Sequence, residues 1–150
     1  MNTAKMKFVI SLIALLLGLL IFAMPAEASS WSGFYQTSVY GPYEGETTCA
    51  TGKRITYSTK YVAVPMERIV SKEKWKRLSA KNKKQYFYYH EKLTLKHGNY
   101  TCVVWVEDCG GFGSYGGYYK GKWRKRMFDL QPAVKKALHV GGTDFVKFKY

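Results

Sequence analysis

The run Val103-Val104-Trp105-Val106, followed by Glu107-Asp108-Cys109 and closed by Gly110-Gly111, constrains this chain more than any other feature. β-Branched and aromatic residues in a stretch this short read as a buried strand, and paired glycines end it in a tight turn. Asp108 is therefore expected where the strand leaves the core and meets a loop. The rest of the chain has the same grain. Gly33 to Tyr40, Arg54 to Tyr57, Tyr61 to Val64, Gln85 to Lys96, Met127 to Leu130 and Phe145 to Tyr150 are strand-sized segments bounded by glycine, proline or polar residues. The last of them is hydrophobic and needs a partner on each side, which favours a small closed β-barrel over a sandwich. The fold class expected is mainly β.

Two segments break the pattern. Ser71 to Lys84 is lysine-rich, lacks glycine and proline, and places Ile69, Trp75 and Leu78 on a sparse apolar stripe. This spacing predicts a basic surface helix capped by Ser71, inserted between strands over about 66–89. Pro132 begins a short helix whose Val134, Ala137 and Leu138 share one face, just before the last strand. His97-Gly98-Asn99 reads as a hairpin turn. Residues 110–121 are rich in glycine and aromatics, a composition that suits either a packed cover or a surface for stacking on sugar rings.

Residues 1–28 are expected to be a signal peptide. Lys5 and Lys7 precede an apolar run from Phe8 to Met24, and Ala26-Glu27-Ala28 supplies a cleavage pattern of small residues. The remainder, 29–150, is one domain, expected to be secreted or wall-associated, monomeric and without a stable membrane anchor. The whole chain carries a formal net charge of +14, so its partner is expected to be anionic; export excludes cytosolic nucleic acid and leaves wall polymers, lipid head groups and extracellular nucleic acid, among which charge alone does not choose. Cys102 and Cys109 fall on one strand, too far apart to bridge, so Cys49 must belong to any intrachain disulfide. Cys109 is its favoured partner, because both lie beside glycines in turns. Neither paired CxxC nor HxxxH spacing occurs, so no metal or other cofactor is expected.

Three blocks in order resemble the double-psi β-barrel proteins of the rare lipoprotein A-like and expansin-like wall families. Cys49-Ala50-Thr51-Gly52, with Tyr61-Val62-Ala63-Val64-Pro65 after it, is similar to their T-A-[ST]-G segment and following strand. Val104 to Phe112 is similar to V-x-V-x-D-x-G-x-F, and Arg126 to Pro132 with Ala137-Leu138 to R-x-x-D-L-S-x-x-A. The resemblance implies a six-stranded double-psi barrel with Asp108 as the essential acid. It also implies a groove in which Tyr40, Thr51, Tyr61, Phe112, Tyr115, Tyr118 and Tyr119 meet glycan. The chain departs from the pattern at Cys49, Cys109, Gly111 and Gln131, and Tyr61 stands near the position of an assisting histidine.

An acid at Asp108 could serve a peptidoglycan lytic transglycosylase. That reaction protonates the glycosidic oxygen and takes a proton from the sugar's own 6-hydroxyl, with no activated water. Hydrolysis usually requires two carboxylates. A regular strand would point Glu107 away from Asp108, and Asp129, just ahead of a helix, is expected to bond the helix's first amides. One-carboxylate chemistry is the better match at this point. Two other readings stay open: expansin-like loosening without cleavage, and a secreted protease inhibitor or antimicrobial protein on the same barrel. His90, His97 and His139 occupy turn or surface contexts, and no nucleophile signature or phosphate-cradling loop accompanies them.

Overall fold

The computed structural model describes residues 30–150. The expected signal peptide therefore lies outside the described residues. The protein is mainly β, and Trp31–Tyr150 forms one compact unit. Its strands are β1 (Tyr35–Val39), β2 (Tyr61–Pro65), β3 (Lys92–His97), β4 (Tyr100–Gly110), β5 (Gly116–Tyr119), β6 (Lys122–Leu130) and β7 (Asp144–Lys149). Six close a ring in the order β1-β7-β3-β4-β2-β6, with β6 returning to β1, and β5 extends outward from β6. The β1–β6 and β2–β4 pairs are parallel; every other pair is antiparallel.

Alternation along the strands fills the ring. Val62 and Val64, Leu93 and Leu95, Val104 and Val106, Phe128 and Leu130, and Val146 and Phe148 all point inward and are buried. Each fully buried Leu or Phe contributes about 1.5–3 kcal/mol. Phe87, Phe128 and Phe148 meet pairwise with centroids 5.4–5.6 Å apart. Helix α3 (Pro132–Leu138) adds Val134 and Leu138 to this core. As expected, it begins on proline, and it ends on His139 in the left-handed conformation (φ 52°).

The expected basic helix is two. Helix α1 (Lys72–Lys76) is capped by Ser71, whose hydroxyl accepts from Lys74 N at 3.2 Å. Helix α2 (Ala80–Lys83) starts again at Ser79, which accepts from Asn82 N at 3.3 Å. A second capping serine inside the lysine-rich run interrupts it, because Ser favours the cap over a helix interior. Around Arg54 the expected strand reduces to one bridge with Thr48, and within 85–91 Phe87 forms an isolated bridge with Ile69 while His90 and Glu91 exchange backbone hydrogen bonds with Val106 of β4. The glycine-aromatic segment contributes β5, joined to β6 by Lys120-Gly121, both at positive φ (50° and 72°) as a tight hairpin requires. Among the described residues no helix is long and apolar enough to cross a membrane.

Candidate functional site

The parallel β2–β4 pair contains an irregularity that sets the direction of Asp108. Val62 pairs with Val106, yet the next residue of β2, Ala63, pairs with Asp108. Glu107 is the extra residue of a β-bulge. Uninterrupted alternation would send Asp108 inward after Val104 and Val106; the bulge turns it onto the outer face beside Ala63. Glu107 takes the same face. The expectation that the two carboxylates diverge is corrected for this reason.

Glu107 is wholly buried, but by polar partners. Its side chain accepts from Thr51 Oγ1 at 2.9 Å and Lys53 Nζ at 2.6 Å, and lies 2.8 Å from His90 Nδ1. Its backbone carbonyl accepts from Thr51 N at 3.2 Å. His90 reaches this position from a left-handed backbone conformation (φ 68°). The carboxylate therefore ties residues 51–53 to β4. Asp108 adds another tie: its Oδ1 accepts from Ala50 N and from Cys109 N, both at 2.9 Å. It is half-buried.

Across β2 from Asp108 stands Asp129. Ala63 pairs with Asp108 on one side and with Asp129 on the other, and Asp129 pairs in turn with Ser38 of β1. Residues in register share a face, so Ser38, Asp129, Ala63 and Asp108 form a row across four strands. Two strand spacings separate the aspartate Cα atoms, about 9.5 Å, with only a methyl group between. Asp129 accepts a hydrogen bond from the Ser38 hydroxyl. It does not bond the first amides of α3, as expected from its place in the sequence, because it is still inside β6. The cap position falls to Gln131, whose side chain is used elsewhere. Burial raises the Asp129 carboxyl to about 6, with Arg126 opposing and Glu44 and Glu46 adding to the rise. Glu46 is itself raised by burial and by Asp108 and Glu44. Asp108, Asp129, Glu44 and Glu46 thus act on one another electrostatically.

A second hydrophobic cluster floors this face: Tyr40, Cys49, Ile55, Ala63 and Phe112, with Tyr61 packed against it. Tyr40 and Phe112 are 5% and 6% exposed. Both belong to the packed floor, and their rings are not free for stacking. Gln131, wholly buried, braces the cluster: its amide donates to the Tyr40 hydroxyl at 3.2 Å and its carbonyl accepts from Thr59 Oγ1 and Tyr61 N. Burial, then Asp108 and Cys49, push the Tyr40 hydroxyl well above its ordinary value. The exposed aromatics at this end are Tyr43 and Tyr57; the Tyr43 hydroxyl is raised by burial and by Glu44, Asp129, Glu46 and Tyr57.

Tyr115, Tyr118 and Tyr119 belong to the β5 hairpin. Tyr115 and Tyr118 are exposed; Arg126 covers the ring of Tyr115 at 5.2 Å, and Trp123 meets Tyr118 edge-on at 5.3 Å. Tyr119 packs between Phe34 (4.4 Å) and Phe145 (4.9 Å), on the wall of a 410 Å³ cavity with Trp31, Lys96, His97 and Lys147. Thus the seven residues expected in one groove separate into two groups.

The expected Cys49–Cys109 disulfide is absent, and all three thiols are free. The bulge is again the reason. After Asp108 turns outward toward Ala50, Cys109 pairs with inward-facing Val64 and takes the opposite face, where it accepts from the Tyr89 hydroxyl at 3.1 Å. Cys49 stays beneath the outer cluster, its thiol pushed up to about 12 by burial and then by Asp108. Among the described residues no group of three or more His, Cys, Asp or Glu side chains could hold a metal ion.

No family model matches this chain, and comparison with curated proteins returns no match. A solved structure, "Streptomyces papain inhibitor (SPI)", is similar with a TM-score of 0.46 and 15% identity, covering 80% of this chain and 93% of that one.

Proposed function

We propose that this is a secreted protein of the double-psi β-barrel type that acts on cell-wall glycan through Asp108 and Asp129. The single observation that carries this reading is the row in which the two aspartates flank Ala63 on one outward face. Asp129, raised to about 6, keeps a large share of its proton in mildly acidic surroundings and is the proton donor to a glycosidic oxygen. Asp108, with one oxygen held by two amides, has the other available to accept a proton from water or from the sugar's own 6-hydroxyl. The two aspartates share one face with only Ala63 between their strands, which leaves space for that nucleophile and favours a two-carboxyl scheme over the one-carboxyl one. Exposed Tyr43 and Tyr57 supply ring faces at the rim. Anionic wall polymer as the partner accords with the +14 charge.

A second reading has its own support. Both aspartates are hydrogen-bonded to neighbouring elements, Asp108 to the 50 loop and Asp129 to β1. Such ties suit an expansin-like binder that loosens glycan without cutting it. Mass spectrometry of purified sacculi after incubation separates the two. Anhydro-muropeptides indicate a lytic transglycosylase, new reducing ends indicate hydrolysis, and binding without either product indicates the expansin-like mode. Absence of binding and products removes both, and an assay on a papain-like protease then tests the inhibitor reading.

A further inference from the structure

Residues 66–89 do more than decorate the ring: they build a cationic cavity against it. Trp75 anchors the segment. Its indole meets Tyr88 and Tyr150 edge-on at 5.2 and 5.1 Å, its N–H donates to Tyr86 O at 3.0 Å, and the Lys83 ammonium lies 4.6 Å from the ring centroid. Held in this way, the segment brings Arg68, Lys81 and Lys84 to a cavity of 330 Å³ shared with Lys125 of β6. The rest of the lining is Tyr35, Gln85 and Met127. Four cations line this cavity and no carboxylate does.

Such convergence is unfavourable for the protein alone, since like charges gathered at one concavity repel. Arg68, Lys81 and Lys125 take part in none of the ion pairs among the described residues. The Tyr35 hydroxyl, raised by burial, is drawn back down by Arg68 and Arg124, so cationic charge dominates the cavity wall. The donors also come from separate elements: a turn after β2, helix α2 and its end, and β6. Donors from several directions suit a tetrahedral oxyanion better than a planar carboxylate, and an arginine fork with lysine point charges is a combination common at phosphates.

We propose that this cavity binds a phosphate group. The site stands apart from the carboxylate row and does not depend on the glycan reading. Free phosphate and a phospholipid headgroup present the same chemistry, so two probes are needed. Inorganic pyrophosphate is titrated into the full chain by calorimetry, and vesicles of phosphatidylcholine with phosphatidylglycerol are tested by co-sedimentation. Saturable binding of at least one probe is expected, weakened about tenfold or more in Arg68→Gln/Lys125→Gln, as loss of charge-assisted contacts predicts. Lys135→Gln/Lys136→Gln removes the same charge from α3 and is expected to change binding less than about twofold. Lys81→Gln/Lys125→Gln, which alters only exposed side chains, replaces the first pair if Arg68 proves necessary for folding. Binding of neither probe, or equal weakening by the α3 pair, overturns the proposal. Loss confined to the pyrophosphate arm or to the vesicle arm upholds it and identifies the source.

Discussion

Glu107 and Asp108, consecutive residues of one strand, project from the same face of β4 and grip the same loop. Asp108 takes the amide of Ala50, and Glu107 takes Thr51 and Lys53. The loop of residues 50–53 is thus fastened by the bulge that creates the row. The position of Asp108 depends on Glu107, the extra residue of the bulge.

Glu107→Gln keeps the shape but removes the charge that Lys53 and His90 meet. Both partners are substantially exposed and regain water, so the cost is modest, about 1–2 kcal/mol. Urea unfolding measures it. Hydrogen exchange at Ala50 and Thr51 is expected to rise in the variant, and unchanged protection there would show that the loop is held by other contacts.

The Asp129 carboxyl, raised to about 6 from 3.8, would give the proposed glycan cleavage a pH limb. If it donates the proton, glycan cleavage falls as pH rises through about 6, and Asp129→Asn abolishes both the activity and the limb. Stability follows the same sign. A carboxyl whose folded value is raised favours the fold fully below 3.8, and that contribution is lost as pH rises through about 6. Chemical denaturation of Asp129→Asn at pH 3.5 and pH 7 is expected to show a smaller difference between the two than the parent does.

Glu91 is a larger case of the same linkage. It is 2% exposed, one of its oxygens has no hydrogen-bond partner, and burial raises it to about 8 from 4.5. Stability from this group is complete below 4.5 and is lost as pH rises through about 8. Glu91→Gln is expected to raise the melting temperature at pH 8.5 and to leave it nearly unchanged at pH 4. A variant less stable at pH 8.5 would overturn this account.

Three free thiols predict a distinctive labelling pattern. Cys49 and Cys102 are buried and burial raises both, whereas Cys109 is partly exposed. A thiol reagent is expected to modify about one group quickly in the native protein and all three after unfolding, Cys109→Ser removing the fast phase. A reductant should leave the melting temperature unchanged.

Gly116 and Gly111 separate two uses of glycine in one segment. A Cβ at Gly116 would lie 2.5 Å from the Arg124 carbonyl oxygen, a backbone atom that cannot move aside, whereas at Gly111 it meets nothing within 4 Å. Gly116→Ala is expected to cost about 1–3 kcal/mol by forcing β5 off β6. Gly111→Ala is expected to stay within about 0.5 kcal/mol. Thermal unfolding of the two variants provides the comparison.

Much of the ring was legible residue by residue. Val104 and Val106 enter the core as expected, although the run read as a buried strand leaves Val103 and Trp105 exposed, and Pro132 marks the start of α3. The site was legible only in part. Asp108 stands out because few acids occur and paired glycines follow it closely, but β4 continues past it to Gly110 instead of ending there as expected. The roles of Ser38, Ala63, Glu107 and Gln131 have no local signature, since each acts on a residue dozens of positions away. Tyr40 and Phe112 look like binding aromatics in sequence and become a packed floor because the 41–57 loop closes over them.

The chain by itself determined the strand-sized hydrophobic runs, their turns, the short helix and the positive charge, all of which follow from neighbouring residues and from composition. Only the tertiary structure decided which way Asp108 faces, that Asp129 lies in line with it, and that Cys49 and Cys109 stay apart. The physical reason is register. Strands β2 and β4 are parallel and joined by a long connection, so a single extra residue at Glu107 is defined only when they pair, and it reverses the face of every side chain that follows.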